Sequence, residues 1–177
     1  MLTAEEFFLY PDPNDGTRQE LVQGEIIKMP LPGGLHGACC SKASRRIGNF
    51  VGDESHGIAV CNNAGFITKR RPDSVRGPDI SYWAKDRFRE IPVGYAEIAP
   101  DMLVEVLSPS NTWKQIRDKL KEYFEKGVRL VWVIALEDCT LTIYRKPDEG
   151  RVLHETATVT GEEVLPGFTC RVSDLLP

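Results

Sequence analysis

Long apolar stretches are missing from this chain: no run approaches the roughly 18 residues that a membrane-spanning helix requires. The segment Met1-Leu2-Thr3-Ala4-Glu5-Glu6 also lacks the basic region followed by an apolar one that marks an export signal. The protein is therefore expected to be soluble and cytoplasmic, with no membrane partner. Excess positive charge is missing too. The chain carries 22 Lys plus Arg against 26 Asp plus Glu, a net charge of -4, so any nucleic-acid contact must come from local clusters rather than from the chain as a whole. Five cysteines make an odd count without a Cys-x-x-Cys pair, and Cys39 and Cys40 are adjacent. This pattern suggests neither a disulfide framework nor a zinc site, and it suits a reducing compartment. No Gly-x-Ser-x-Gly elbow surrounds Ser108 or Ser110, and Gly33-Gly34 lacks the Lys and Ser/Thr of a phosphate-binding loop. Serine-hydrolase and P-loop chemistry are thereby disfavoured. There is no repeat, low-complexity tract or linker, and 177 residues with 41% hydrophobic content suffice for one domain over residues 1–177.

What is present is organised around the stretch from Pro78 to Lys119. Met102-Leu103-Val104-Glu105-Val106-Leu107 keeps apolar residues in both alternating sets, the pattern of a strand covered on both faces, and Glu105 interrupts it. A carboxylate in such a place must find a cation, a metal or a proton. Gly77-Pro78-Asp79-Ile80-Ser81-Tyr82-Trp83 opens a second strand, which puts Asp79 at a sheet position as well. A loop over residues 84–100 should cross between the two strands. Ser108-Pro109-Ser110-Asn111 then stops the Glu105 strand and offers cap residues to a helix that carries Lys119. That helix has Ile116, Leu120, Tyr123 and Phe124 on one stripe and ends at Gly127. Arg129 to Ile134 reads as another buried strand, so strand, helix and strand predict a right-handed parallel crossover.

Around this centre, Thr3 with Glu6 forms a capping box for a short helix that covers the core. Glu20-Leu21-Val22 and Glu25 to Met29 flank Gln23-Gly24 as a hairpin, and Ala38 to Asp53 shows the spacing of an amphipathic helix. Strands over residues 58–61 and 65–68 are expected to pair antiparallel through Asn62 and Asn63. Residues 141–144 and 152–155 suit an antiparallel extension at a sheet edge, and residues 172–176 one helical turn.

Two readings of the polar residues stand side by side at this level. Asp79 and Glu105 on neighbouring strands have the hard oxygen donors that Mg2+ prefers, or they are structural partners of arginines. Lys119 is either a cation leaning over the sheet or an ordinary helix-edge side chain. Glu20 and Glu25, one on each hairpin strand, are auxiliary ligands or solvated residues. His36 follows a Gly-rich loop and either faces a cleft or caps the following helix. Lys69, Arg70, Arg71 and Arg76 form the dense basic patch of the sequence, and a role against a phosphate backbone is expected of them.

The order of motifs adds a resemblance. Glu20-Leu21-Val22-x-Gly24-Glu25-Ile26, Pro78-Asp79, Pro100-Asp101-x-Leu103-Val104-Glu105-Val106-Leu107-Ser108-Pro109-Ser110, Lys119-x-x-x-Tyr123-x-x-x-Gly127-Val128 and Val131-Trp132-Val133 follow one another along the chain. Together they resemble the Uma-two-type restriction endonuclease family, formerly a domain of unknown function, within the PD-(D/E)XK nuclease superfamily. The resemblance runs from Leu2 to Leu176. It implies an α/β fold, a restriction-endonuclease-like mixed β-sheet core flanked by helices with antiparallel extensions. It further implies a Mg2+-dependent (or Mn2+-dependent) endonuclease that hydrolyses phosphodiester bonds of DNA, with Asp79 and Glu105 as metal ligands. The superfamily's Glu-x-Lys lysine would fall at position 107, where this chain has Leu107, so the resemblance nominates Lys119 as a migrated replacement. Glu25 and His36 also fall at family motifs and are given auxiliary roles. A homodimer is expected, because two centres would allow cuts on both strands. The alternative is a catalytically inactive nuclease-fold module that binds DNA or protein.

Overall fold

A computed structural model describes residues 1–52, 56–87 and 90–177. The expected helix end at Asp53, and residues 88 and 89 of the expected 84–100 loop, lie outside the described residues. Among the described residues three helices, α1 (Ala4–Phe8), α2 (Gly34–Val51) and α3 (Trp113–Lys126), accompany twelve strands. The strands are β1 (Arg18–Val22), β2 (Glu25–Met29), β3 (Gly57–Cys61), β4 (Phe66–Lys69), β5 (Ser74–Arg76), β6 (Ile80–Ala84), β7 (Met102–Val106), β8 (Leu130–Ala135), β9 (Thr140–Tyr144), β10 (Gly150–His154), β11 (Thr158–Thr160) and β12 (Thr169–Arg171). A final 3-10 turn covers Val172–Asp174, as the C-terminal pattern predicts.

The main sheet has six strands in the order β10-β9-β8-β7-β6-β3. Its β7 and β8 are parallel, joined by α3 as the strand-helix-strand pattern requires, while its other pairs are antiparallel. Every residue of β7 is buried, which explains its doubly apolar sequence. Alternation along β7 divides the core in two. Met102, Val104 and Val106 pack in a cluster with Cys39, Ala43, Ile47 and Val51 of α2. Leu103 packs in the other with Ile116, Leu120 and Tyr123 of α3. Glu105 shares the α3 side with Leu103, and this is the single polar break in that strand.

A second sheet, β2-β1-β5-β4, leans on this layer. The β1-β2 hairpin turns at Gln23-Gly24, both residues having positive φ, and α1 closes a small third core of Ala4, Phe7, Leu21, Ile67 and Val75. The predicted capping box of α1 is formed by Thr3 and Glu6. The cap of α3 falls on Thr112 with Gln115 rather than on the Ser108–Asn111 segment, because the Asn111 side chain is spent on the backbone N–H and hydroxyl of Ser108. Gly127 ends α3 at φ 106, a conformation that L side chains resist.

One expected pairing is wrong. Strands β3 and β4 do not form a hairpin: β3 pairs with β6 at the edge of the main sheet, and β4 pairs with β5 in the second. Asn62 and Asn63, at φ 64 and φ 57, lead the chain from one sheet to the other. The return crossing runs from Arg76 through Gly77 to Asp79. A side chain at Gly77 would meet the carbonyl oxygen of Asn63 at 2.7 Å, so only glycine lets the two crossing segments approach.

Candidate active site at the junction of two sheets

The site assembles where these crossings bring the second sheet against β7 and α3. Continuing the Ile80↔Val104 register by one residue sets Asp79 opposite Glu105. Strand β6 itself begins at Ile80, two residues after the Pro78 start that the sequence suggests, because the Asp79 carboxylate takes the role of a strand partner: its Oδ2 accepts the backbone N–H of Val106 at 2.8 Å. His36 Nε2 lies 3.4 Å from the same oxygen, and Arg18 Nη1 lies 3.8 Å from Oδ1. The amide of Asn63 donates to Oδ1 at 3.4 Å. Burial works to raise the pKa of Asp79, but His36, the Val106 N–H and Arg18 outweigh it and hold this carboxyl below its ordinary range.

Lys119 is not a helix-edge cation. One turn before Tyr123 on α3, it turns into the protein, and its Nζ lies 3.2 Å from Glu105 Oε1 and 3.0 Å from Glu20 Oε1. Burial opposes its charge, yet the two carboxylates more than compensate and push its ionisation well above that of free lysine. The two carboxylates thus favour the charged form of Lys119. The Tyr123 hydroxyl donates a short hydrogen bond to Glu105. For Glu105 the balance goes the other way: burial is the largest influence, the negative charges of Asp79 and Glu20 add to it, and its pKa is raised despite Lys119.

Glu20 and Arg76 face each other by continuation of the Leu21↔Val75 register, with Arg76 Nη1 2.9 Å from Glu20 Oε2. Arg76 also grips Glu122 of α3, at 2.9 Å from Nε and 2.5 Å from Nη2. Burial would raise Glu20, but Lys119 and Arg76 bring it below its ordinary value. Four carboxylates, Glu20, Asp79, Glu105 and Glu122, therefore interlock with Lys119, Arg76 and Arg18. A cavity of about 250 Å³ lined by Arg18, Glu20, Arg76, Ser108 and Lys119 opens this group to solvent.

Of the residues nominated from sequence, the structure gathers Asp79, Glu105, Lys119 and His36. Glu25 stays exposed beside the hairpin turn, paired in register with Val22, whereas Glu20 enters the site. His36 does not cap α2, whose N-cap is Gly33; it is buried and aimed at Asp79. The basic patch is dismantled in the fold. Arg76 is buried in the network just described, and Arg70 is held by Asp73, Glu5 and Glu97. Both are scaffold cations, because carboxylates of β1, α1 and α3 and of the adjoining turn and loop reach them first. Glu122, Arg18, Asn63 and Cys40 were not singled out from sequence. Their partners lie 14 to 61 residues away, and nothing local marks them; only Cys40, at four residues from His36, carries a spacing signal.

The mixed sheet flanked by helices that carries this junction is a nuclease-type α/β fold. The profile of the family Uma2, described as "Putative restriction endonuclease", matches residues 4–173. The chain belongs to that family. Its structure is similar to that of "a putative nuclease belonging to DUF820" from Anabaena variabilis, with a TM-score of 0.82 over 99% of this chain and 97% of the other at 24% identity. That likeness supports the fold. No curated protein matches the chain.

Proposed function

We propose that this protein is a divalent-metal-dependent endonuclease that hydrolyses phosphodiester bonds of DNA, with Asp79 and Glu105 holding the cation and Lys119 acting beside them. The observation that carries the reading is the delivery of the Lys119 ammonium to Glu105 from α3. Leu107 leaves the strand without a lysine two residues after Glu105, and the helix supplies one from another direction. The two acids suit a hard cation: oxygen donors sit opposite each other across a strand pair, one is held ionised, and the other has less compensation than its burial demands. Mg2+ or Mn2+ bound there would supply activation of water and neutralisation of phosphate charge.

The chain's own groups do the rest. Val106 N–H and Asn63 fix the Asp79 carboxylate, and Tyr123 fixes that of Glu105. Lys119 presents a permanent positive charge where negative charge develops on the phosphate oxygens, and it positions water by donation. Arg76 holds Glu20, and Glu20 in turn holds the Lys119 ammonium beside Glu105. A homodimer would bring two such centres to the two strands of a duplex. The test is a cleavage assay on linear, circular and single-stranded DNA with Mg2+ or Mn2+ and with neither. Metal-dependent cutting that requires Asp79 and Glu105 supports the reading, and a protein that binds DNA without cutting any of the three substrates is the inactive module instead.

A further inference from the structure

The first turns of α2 carry a group that the hydrolytic reading does not use. His36 and Cys40 are four residues apart on one face of the helix. The His36 Nδ1 lies 3.5 Å from Cys40 Sγ, and its Nε2 lies 3.4 Å from Asp79 Oδ2. One ligand atom from each of the three residues can be chosen so that all lie within 4.8 Å of one another. In a tetrahedral zinc centre, with bonds of about 2.0–2.3 Å, neighbouring ligand atoms are separated by roughly 3.3–3.8 Å. A contraction of about an ångström therefore closes the group around an ion. His36 and Asp79 are buried and Cys40 is half-buried, while a cavity of about 480 Å³ lined by Gly33, Gly34, His36 and Leu107 gives a path inward.

We propose that His36, Cys40 and Asp79 form a site for a thiophilic divalent cation, zinc above all, and that this site competes with the hard cation for Asp79. The donor set decides the metal. A thiol contributes nothing to Mg2+, which takes oxygen ligands, whereas one nitrogen, one sulfur and one oxygen donor with a fourth position open suit zinc. Asn63 and the Val106 N–H already orient the Asp79 carboxylate, as outer partners of metal ligands do. Binding replaces the Cys40 S–H bond by a sulfur–zinc bond and releases that proton to solvent. Both ions draw on the one Asp79 carboxylate, and two dications held at close range repel each other. Zinc then acts as an antagonist of the hard cation, a consequence that rests on the assignment of Asp79 and Glu105 given above.

The experiment uses the full chain, stripped of metal and titrated with Co2+ as a spectroscopic substitute for zinc, then with zinc itself by calorimetry. The parent and Cys61→Ser should show a thiolate-to-cobalt charge-transfer band at one equivalent, and Cys40→Ser should lack it. Zinc affinity of Cys40→Ser should fall by more than the roughly 10–100-fold that even outer-partner changes cost. Absence of the band in the parent, or its persistence in Cys40→Ser, overturns the site. Competition is read as displacement of bound Mn2+ by zinc in the parent, and retention of Mn2+ at saturating zinc overturns that half. Cleavage with and without zinc, each variant measured against its own zinc-free rate, keeps the two readings apart. A Cys40-dependent band in a protein that cuts no DNA defeats the nuclease reading and leaves the zinc site, whereas metal-dependent cutting without the band does the reverse.

Discussion

The ammonium of Lys119 lies 3.2 Å from the carboxylate of Glu105, across the gap between α3 and β7. Because that cation is buried and charged, its removal should be felt in chemistry more than in binding. Lys119→Met is expected to lower the rate of metal-dependent DNA cleavage by about two to three orders of magnitude while metal and DNA affinity largely survive. Lys126→Met, about two turns further along α3, is the control. Single-turnover kinetics at saturating metal measure the difference, and equal rates for both variants would remove Lys119 from the chemistry.

Glu20 and Glu105 share Lys119 but should respond to pH with opposite sign. Glu20 ionises below its ordinary value of 4.5 in the folded protein, so its contribution to stability is present above that value and is lost as pH falls through the folded one. Glu105 ionises above 4.5, so its contribution is present below that value and is lost as pH rises through the folded one. In metal-free buffer at neutral pH, Glu105→Gln should therefore be more stable than the parent, by on the order of 0.5–2 kcal/mol, the size common for a single stabilising substitution. Glu20→Gln should be less stable by roughly 3–5 kcal/mol, since Arg76 and Lys119 lose a buried partner. Denaturant melts across the acid-to-neutral range read both, and a shared sign would contradict the charge assignments.

Arg76 is a scaffold cation between Glu20 and Glu122. Arg76→Met should cost roughly 3–5 kcal/mol, because two carboxylates are left without it in a largely buried setting. Thermal unfolding of Arg76→Met against Arg71→Gln, an exposed neighbour in sequence, tests this; equal stability would mean that the network is not stabilising.

If the exposed members of the former patch, Lys69 and Arg71, contact phosphates, the double change Lys69→Gln/Arg71→Gln should flatten the dependence of log affinity on log salt by about 1.8. An unchanged slope by fluorescence anisotropy would place the DNA path elsewhere.

Calorimetry with Mg2+ or Mn2+ checks the hard-cation site directly. Asp79→Ala should abolish binding, because the variant removes the carboxylate held ionised by His36 and Val106. Undiminished binding would show that Asp79 and Glu105 do not share an ion.

Local pattern was enough to determine the strand character of β7, the crossover through α3, its end at Gly127 and the hairpin at Gln23-Gly24, because burial period, capping and turn chemistry act over a few residues. It also marked Glu105 and Asp79, since an acid in an apolar strand is anomalous wherever the strand lies. Tertiary structure alone decided which cations reach them. Lys119 and Lys126 share a helix flank in sequence, and only the seat of α3 against β1 and β7 sets the first between Glu20 and Glu105. Arg76 looks like a member of a basic patch until β5 is laid beside β1, where Glu20 claims it. His36 and Cys40 meet Asp79 through the packing of α2 against the main sheet, a contact of 39 to 43 residues' separation that no spacing rule encodes. Electrostatic partners are chosen by distance in space, and the sequence specifies that distance only through the completed fold.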